Sequence, residues 1–142
     1  MTAALHFELR HVVTFEETNL VGNVYYTNYF GWQGRCRELF LREHAPQTLA
    51  ELQAGALRLV TAHASCDFVD EFTAFDEVLV RLSLNRYIAY GVSLNFDFAR
   101  ASQPLEVLAR GRQDIKFLSR QAGQWVLCEM PPALHDAVRR YE

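Results

Sequence analysis

Residues 15–30 carry the side chains best suited to chemistry in this chain. A strand-like run ends in a polar turn that holds Asn19, passes Gly22, and leads to four aromatic residues at the start of a predicted helix. The first N–H groups of a helix are unpaired and its dipole favours negative charge, so this junction can stabilise an oxyanion. The amide of Asn19 cannot attack as a carboxylate or accept a proton near pH 7. It can donate a hydrogen bond or hold an attacking water molecule.

Periodicity predicts the elements that position this segment. Residues 6–14 repeat apolar positions with a period of two, which indicates a first strand. Thr27 or Asn28 can cap the following helix, and Ala45 before Pro46 ends it, because a residue that precedes proline disfavours the helical conformation. Three- and four-residue steps along this helix give one apolar stripe of Tyr29, Trp32, Cys36, Leu39 and Phe40.

The rest of the chain predicts an antiparallel sheet. Strands are expected at residues 57–68, 77–86, 89–98, 106–118 and 124–128, with turns at 99–104 and 119–123. A short extra turn is expected at 48–53 and a terminal helix at 133–141. This order predicts one α+β domain over residues 1–142, with a single long central helix.

Composition narrows the class of protein. Half of the 142 residues are hydrophobic, and the net charge of −3 argues against nucleic acid as a partner. No apolar run reaches the roughly 18 residues of a membrane span, and Met1–Arg10 lacks a signal-peptide core, so we expect a cytoplasmic protein with no membrane association. The 3 cysteines and 5 histidines show no metal-ligand spacing, which predicts no metal and no other cofactor.

The run from Asn19 to Phe30 resembles the active-site signature of the hot-dog thioesterases of the 4-hydroxybenzoyl-CoA thioesterase type. That signature reads aspartate, two residues, glycine, two residues, tyrosine, followed by asparagine and tyrosine. The resemblance extends over nearly the whole chain and implies the hot-dog fold, in which a curved antiparallel sheet wraps around one helix. It also implies that the thioester carbonyl lies against the backbone N–H of Tyr26, with Gly22 supplying a turn that needs a positive φ or close approach of the ligand.

Both positions at which this family carries an acid hold another residue here. Asn19 stands in place of the aspartate, and Gly34 stands where some relatives have a glutamate in the helix. Glu16 or Glu17 could act as a displaced base. A glycine within a helix lowers stability by about 1 kcal/mol relative to alanine, so Gly34 indicates either room for the substrate or close packing against a partner helix.

Arg37 shares a predicted helix face with Gly34 and Leu41, and arginine is seldom buried without a partner. Its planar guanidinium could stabilise the oxyanion or hold a substrate carboxylate or keto oxygen. The alternative is an ion pair with Glu38, with Glu71 or with a second subunit.

Asn19, Gly34 and Arg37 together resemble one branch of the family, the thioesterases of enediyne biosynthesis, which act on polyenes carried by an iterative polyketide synthase. This resemblance implies hydrolysis of a thioester, with a β-keto polyene as acyl group, on an acyl carrier protein. It implies catalysis without a carboxylate, by Asn19, Arg37 and backbone donors near Tyr26, with Tyr29 lining the site. Decarboxylation of a released β-keto acid could follow.

Family pockets use the strand after the helix for the acyl chain. The resemblance therefore places Leu59, Val60, Thr61 and Phe68 in the acyl slot, with Thr61 near the carbonyl. It also implies a homotetramer, a dimer of dimers, in which a second subunit completes each site. Two alternatives stay open: a general acyl-CoA or aryl-CoA thioesterase, and a non-catalytic hot-dog protein that binds acyl chains.

Overall fold

Six strands form one antiparallel sheet that curves around a long helix. The computed structural model describes residues 6–142; residues 1–5, the first half of the Met1–Arg10 segment, lie outside the described residues. The strands are β1 (Phe7–Val12), β2 (Leu57–Phe68), β3 (Glu77–Ile88), β4 (Gly91–Arg100), β5 (Gln103–Gln121) and β6 (Gln124–Cys128). The helices are α1 (Thr27–His44), α2 (Pro46–Gln53) and α3 (Pro132–Val138), and short 3-10 turns lie at Phe15–Glu17 and Arg139–Tyr141.

The sheet order is β1-β3-β4-β5-β2, and β6 pairs with β5 from Phe117 onward, next to the first residue of β4. β2 therefore lies at one edge, where it pairs with β5 alone among the described strands. This is the α+β arrangement expected from the resemblance, with strand positions close to those predicted.

The core lies between the curved sheet and one face of α1. Four side chains of the predicted apolar stripe are at most 2% exposed: Tyr29, Trp32, Cys36 and Phe40. They belong to the same buried cluster as β3 and β4 residues such as Val80, Leu82, Phe96 and Phe98. Burial of one such large side chain stabilises the fold by about 1.5–3 kcal/mol relative to leaving it exposed. Leu39 is only partly buried, and Gln33 joins the buried face instead.

Two predicted connections differ from the structure. The turn expected at 48–53 is the two-turn helix α2, which begins with Pro46 at its first position, where proline leaves no helical hydrogen bond unmade. The turn expected at 99–104 is much tighter, because β4 runs to Arg100 and β5 begins at Gln103. Pro104 lies in an irregular stretch of β5 between the pairs Arg100–Gln103 and Ala99–Val107, a place where a strand tolerates proline.

None of the helices in the described part of the chain is long and apolar enough to cross a membrane.

Candidate active site

The turn that holds Asn19 is closed by its own hydrogen bonds. The Asn19 N–H donates to the Asn23 carbonyl at 2.8 Å, and the Gly22 N–H donates to the Asn19 carbonyl at 3.0 Å. Asn19 Oδ1 accepts from the N–H groups of Val21 at 3.0 Å and Asn23 at 3.2 Å. Gly22 has a φ of +88°, which confirms the expected positive φ. Because Oδ1 is occupied, the group that Asn19 can offer to a ligand is its Nδ2 donor.

The start of α1 lies beside this turn. Tyr26 is the N-cap residue, and its N–H has no backbone acceptor within residues 6–142. Asn19, Tyr26, Tyr29 and Phe68 line a cleft of about 240 Å³. Four of the predicted site residues therefore meet at the helix start, with two donors available for an oxyanion.

Tyr29 forms the inner wall of this cleft and is 2% exposed. Its ring contacts Phe68 edge-on, with centroids 4.9 Å apart, and also packs against Phe98. Burial raises the pKa of Tyr29 to about 12. The phenol is therefore neutral at physiological pH, so it can shape the cleft and hydrogen-bond but cannot act as a base.

Neither Glu16 nor Glu17, the two glutamates considered as a displaced base, lines the cleft; its lining carboxylates are Asp70 and Glu71. The Glu17 carboxylate accepts hydrogen bonds from the Thr14 N–H at 3.0 Å and Trp32 Nε1 at 2.9 Å, and it contacts His11 Nε2 at 2.8 Å. Burial favours a higher pKa for Glu17, but these hydrogen bonds outweigh it and hold the pKa below its usual value. Glu16 is exposed to solvent. Glu17 therefore ties β1, the 3-10 turn and α1 together, and the geometry does not favour Glu16 or Glu17 as the displaced base.

We expect Glu17→Gln to lower stability far more than turnover. Hydrogen bonds to a charged group contribute about 1.5–3 kcal/mol, so the free energy of unfolding in urea at pH 7 should fall by about 1–3 kcal/mol. The pKa of Glu17 in the folded state lies below the usual carboxyl value of 4.5, so this stabilisation is present above that pH and is lost as pH falls through the folded-state pKa. In the acid range, the free energy of unfolding of the variant should therefore depend less on pH than that of wild type.

The matched control is Glu16→Gln, a neighbouring change at an exposed carboxylate. Turnover at saturating thioester should fall less than about tenfold in either variant, because neither carboxylate lines the cleft. A Glu17→Gln protein that is as stable as wild type but inactive would show that Glu17 is the base.

Arg37 lies half-buried on α1, and no carboxylate of the described chain pairs with it. Its Nη1 donates to Thr61 Oγ1 at 3.1 Å and to Gln113 Oε1 at 2.9 Å, while its Nε is buried and has no partner among residues 6–142. None of the ion pairs formed within residues 6–142 includes Arg37, so the alternative pairs with Glu38 or Glu71 are absent from this part of the chain. Burial lowers the pKa of Arg37, but guanidinium stays charged in proteins.

Arg37 opens onto a second cleft, a groove of about 530 Å³ between α1, α2 and β2. Leu59 lines this groove, and its other apolar residues are Leu39, Leu41, Leu49, Leu52 and Leu57. Thr61 does not line the groove itself but accepts a hydrogen bond from Arg37, which does. Val60 lies between Leu59 and Thr61 on β2 and points to the opposite face of the sheet, so it does not line the groove of its own chain.

Gly34 lies one helical turn before Arg37 and has no close neighbour. A Cβ built at this position would meet no atom within 4 Å. Packing within the described chain therefore does not explain the glycine, and the two expected reasons, substrate or a partner helix, both stay open.

The two clefts are well separated within one chain. Arg37 lies three turns of α1 beyond Tyr26, a rise of about 16 Å along the helix axis. One subunit therefore does not place Asn19 and Arg37 on the same carbonyl group.

Gln33 and Gln113 are among the residues near the site that the sequence prediction missed: Gln33 is fully buried and Gln113 is 4% exposed. Gln113 bonds both Arg37 and Gln33. Two features of the sequence could have revealed them: a glutamine lies within an otherwise apolar helix face, and another lies within the alternating pattern of β5.

Comparison with known proteins identifies the class of protein to which this fold and these clefts belong. The profile of the thioesterase-like superfamily matches residues 13–138, so the chain belongs to that superfamily and is a thioester hydrolase with the hot-dog fold. No curated protein matches the chain significantly.

Among solved structures, the chain is similar to the dynemicin thioesterase, whose crystal structures describe induced-fit and allosteric effects upon polyene binding. The two share 46% identity over 96% of each chain, with a TM-score of 0.88. A 1,4-dihydroxy-2-naphthoyl-CoA thioesterase from Synechocystis shares the fold at 19% identity and a TM-score of 0.81, over 94% of this chain and 96% of that one. A gentisyl-coenzyme A thioesterase also shares the fold, at 22% identity and a TM-score of 0.74, over 90% of this chain and 98% of that one.

Proposed function

We propose that this thioesterase releases a polyene, in β-keto form, from the acyl carrier protein of an iterative polyketide synthase in enediyne-type biosynthesis. The observation that carries the proposal is the 46% identity to the dynemicin thioesterase, which binds a polyene. Two features of the chain support it. The helix-start cleft has no carboxylate at the family's acid position, and the apolar groove ends at an arginine that has no acidic partner among residues 6–142.

In the proposed reaction, the thioester carbonyl lies between Asn19 Nδ2 and the Tyr26 N–H. The oxygen of a water molecule adds to the carbonyl carbon, and these two donors stabilise the oxyanion that forms. When the intermediate collapses, the C–S bond breaks and the leaving sulfur takes the proton from the attacking water, so no carboxylate base is required. Arg37 holds the β-keto oxygen of the acyl chain.

The proposed assembly is a homotetramer built from dimers that pair along β2. This strand is 12 residues long and has one edge unpaired within the described structure, and most of its residues from 60 to 68 are exposed. An exposed edge of this length favours pairing with another strand. The second subunit would then bring its Arg37 to the cleft that holds Asn19, which is consistent with the separation of the two residues within one chain.

We further propose that residues 1–142 act as one domain in the cytoplasm. Within the described chain all three cysteines are free, as a reducing compartment would keep them.

The carrier proposal is supported by a basic surface at the mouth of the groove. Arg58 lines the groove and lies 4.2 Å from the centroid of the Trp125 ring, and Arg120 lies 5.4 Å from the same ring. Neither arginine forms an ion pair with another residue between 6 and 142. Two cations that share one ring without a counter-ion favour an acidic partner surface, such as that of a carrier protein.

The experiment compares one β-keto polyenoyl group on three carriers: acyl carrier protein, CoA and pantetheine. We expect kcat/KM to be highest on the carrier protein. The Arg58→Glu, Arg120→Glu double variant should lose about tenfold or more on that carrier at low salt and change little on pantetheine, because charge steering acts on the protein partner.

Arg86→Glu, an exposed charge reversal on β3, is the control and should behave as wild type on all three carriers. An equal loss on every carrier would show that the two arginines shape the groove rather than dock a protein. A preference for CoA would contradict the carrier proposal and leave the hydrolase activity intact.

A further inference from the structure

A chain of side-chain amides crosses the core between α1, β5 and β2. Gln33 Nε2 donates to the Ser65 carbonyl at 3.2 Å, and Gln113 Nε2 donates to Gln33 Oε1 at 3.3 Å. Arg37 Nη1 donates to Gln113 Oε1 at 2.9 Å and to Thr61 Oγ1 at 3.1 Å. The two glutamines are 0% and 4% exposed, so this amide relay, defined as Ser65–Gln33–Gln113–Arg37, is buried along most of its length.

The direction of every hydrogen bond in the amide relay is fixed by its two ends. A backbone carbonyl can only accept, so Gln33 must turn its NH₂ group toward Ser65 and its oxygen toward Gln113. Gln113 must then turn its NH₂ group toward Gln33, which leaves its oxygen facing Arg37. A guanidinium can only donate, so this final bond satisfies both partners.

The backbone makes room for the relay at Gly111. A Cβ at this position would lie 1.9 Å from Gln33 Nε2, so any other residue would displace the Gln33 amide. Burial of polar groups costs free energy unless they are hydrogen-bonded, and an apolar pair would fill the same space more simply. The presence of two glutamines and a glycine at the contact therefore indicates a purpose beyond packing.

The relay fixes one side of the Arg37 guanidinium. Nη1 is occupied by Gln113 and Thr61, while the buried Nε has no partner within residues 6–142. Nη2 is therefore the nitrogen that can donate to a ligand in the groove that Arg37 lines.

We propose that Gln113 and Gln33 are positioning residues that orient Arg37 toward the substrate. This inference rests on the proposed function, in which Arg37 binds the acyl group. A guanidinium freed from Gln113 would adopt several rotamers, and a misplacement of about 1 Å can lower a rate by up to about 100-fold.

The test is a double-mutant cycle on single-turnover hydrolysis of a β-keto polyenoyl carrier-protein thioester. We expect Gln113→Leu to lower the rate about 10- to 30-fold in the wild-type background and to have almost no further effect in an Arg37→Ala background. Gln33→Met, which breaks the relay one step further from Arg37, should give a smaller loss with the same lack of additivity. If the Gln113→Leu variant does not fold, the Gln33→Met variant provides the test of the positioning role.

Thr48→Val is the matched control, because it removes another buried polar group whose Oγ1 has no partner within the described chain. It should leave the rate unchanged. Equal losses from Gln113→Leu with and without Arg37 would overturn the positioning role. An Arg37→Ala variant that keeps full activity would instead contradict the proposed function, and the two failures are therefore distinguishable.

Discussion

Asn19→Ala is expected to lower the single-turnover rate about 100-fold, because one oxyanion donor contributes a factor of about 10²–10³. The Nδ2 group is the donor in question, since Oδ1 is held by the N–H groups of Val21 and Asn23. The same two bonds close the turn, so the alanine variant loses turn stability as well. A second substitution is needed to separate these two effects.

Asn19→Asp makes that separation. An aspartate keeps an acceptor for Val21 and Asn23, so the turn should hold, but it cannot donate and its charge repels an oxyanion. We therefore expect Asn19→Asp to be about as slow as Asn19→Ala between pH 6 and 8, although it restores the residue type of the wider family. The measurement is hydrolysis of the carrier-protein thioester under single-turnover conditions, with urea unfolding as the check on folding. A rate for Asn19→Asp at or above wild type would mean that a carboxylate mechanism operates in this site.

The sequence predicted the elements well because burial here follows simple periods. The three- and four-residue steps of α1 and the alternation along β3 and β5 place apolar side chains on one face. The positive φ of Gly22 could be predicted equally well, because the turn that requires it is formed by neighbouring residues. Pro104 was misread as part of a long turn because an irregularity in strand pairing depends on the partner strand, which the sequence does not show.

The site was less predictable than the fold, for a related physical reason. Asn19 and Tyr26 are close in sequence and meet at one helix start, so a local motif identifies both. Gln33 and Gln113 are 80 residues apart, and their contact depends on the register between α1 and β5. Nothing in a single sequence sets that register. The separation of Arg37 from the helix-start cleft became clear only when α1 was seen as one continuous helix.

Arg37→Ala is expected to lower the rate about 100-fold, because it removes the charged donor at the end of the apolar groove. The two deficient proteins, Asn19→Ala and Arg37→Ala, should then complement each other. Since about 16 Å of helix separates the two residues in one chain, the proposed site takes Asn19 from one subunit and Arg37 from another. Random 1:1 assembly of the two variants would give intact residues at both positions in about a quarter of the sites.

The complementation is measured by unfolding the two variants together, refolding them, and assaying thioester hydrolysis. We expect about a quarter of wild-type activity, against about 1% for either variant refolded alone. The control mixes Asn19→Ala with the Asn19→Ala, Arg37→Ala double variant; no site then contains Asn19, so activity should stay at the background level. If hybrid oligomers form, as shown by mass spectrometry of differently tagged subunits, and activity does not return, Asn19 and Arg37 do not act together across the interface. In that case hydrolysis in the helix-start cleft relies on groups of a single chain, and the loss in Arg37→Ala reflects a role outside that cleft.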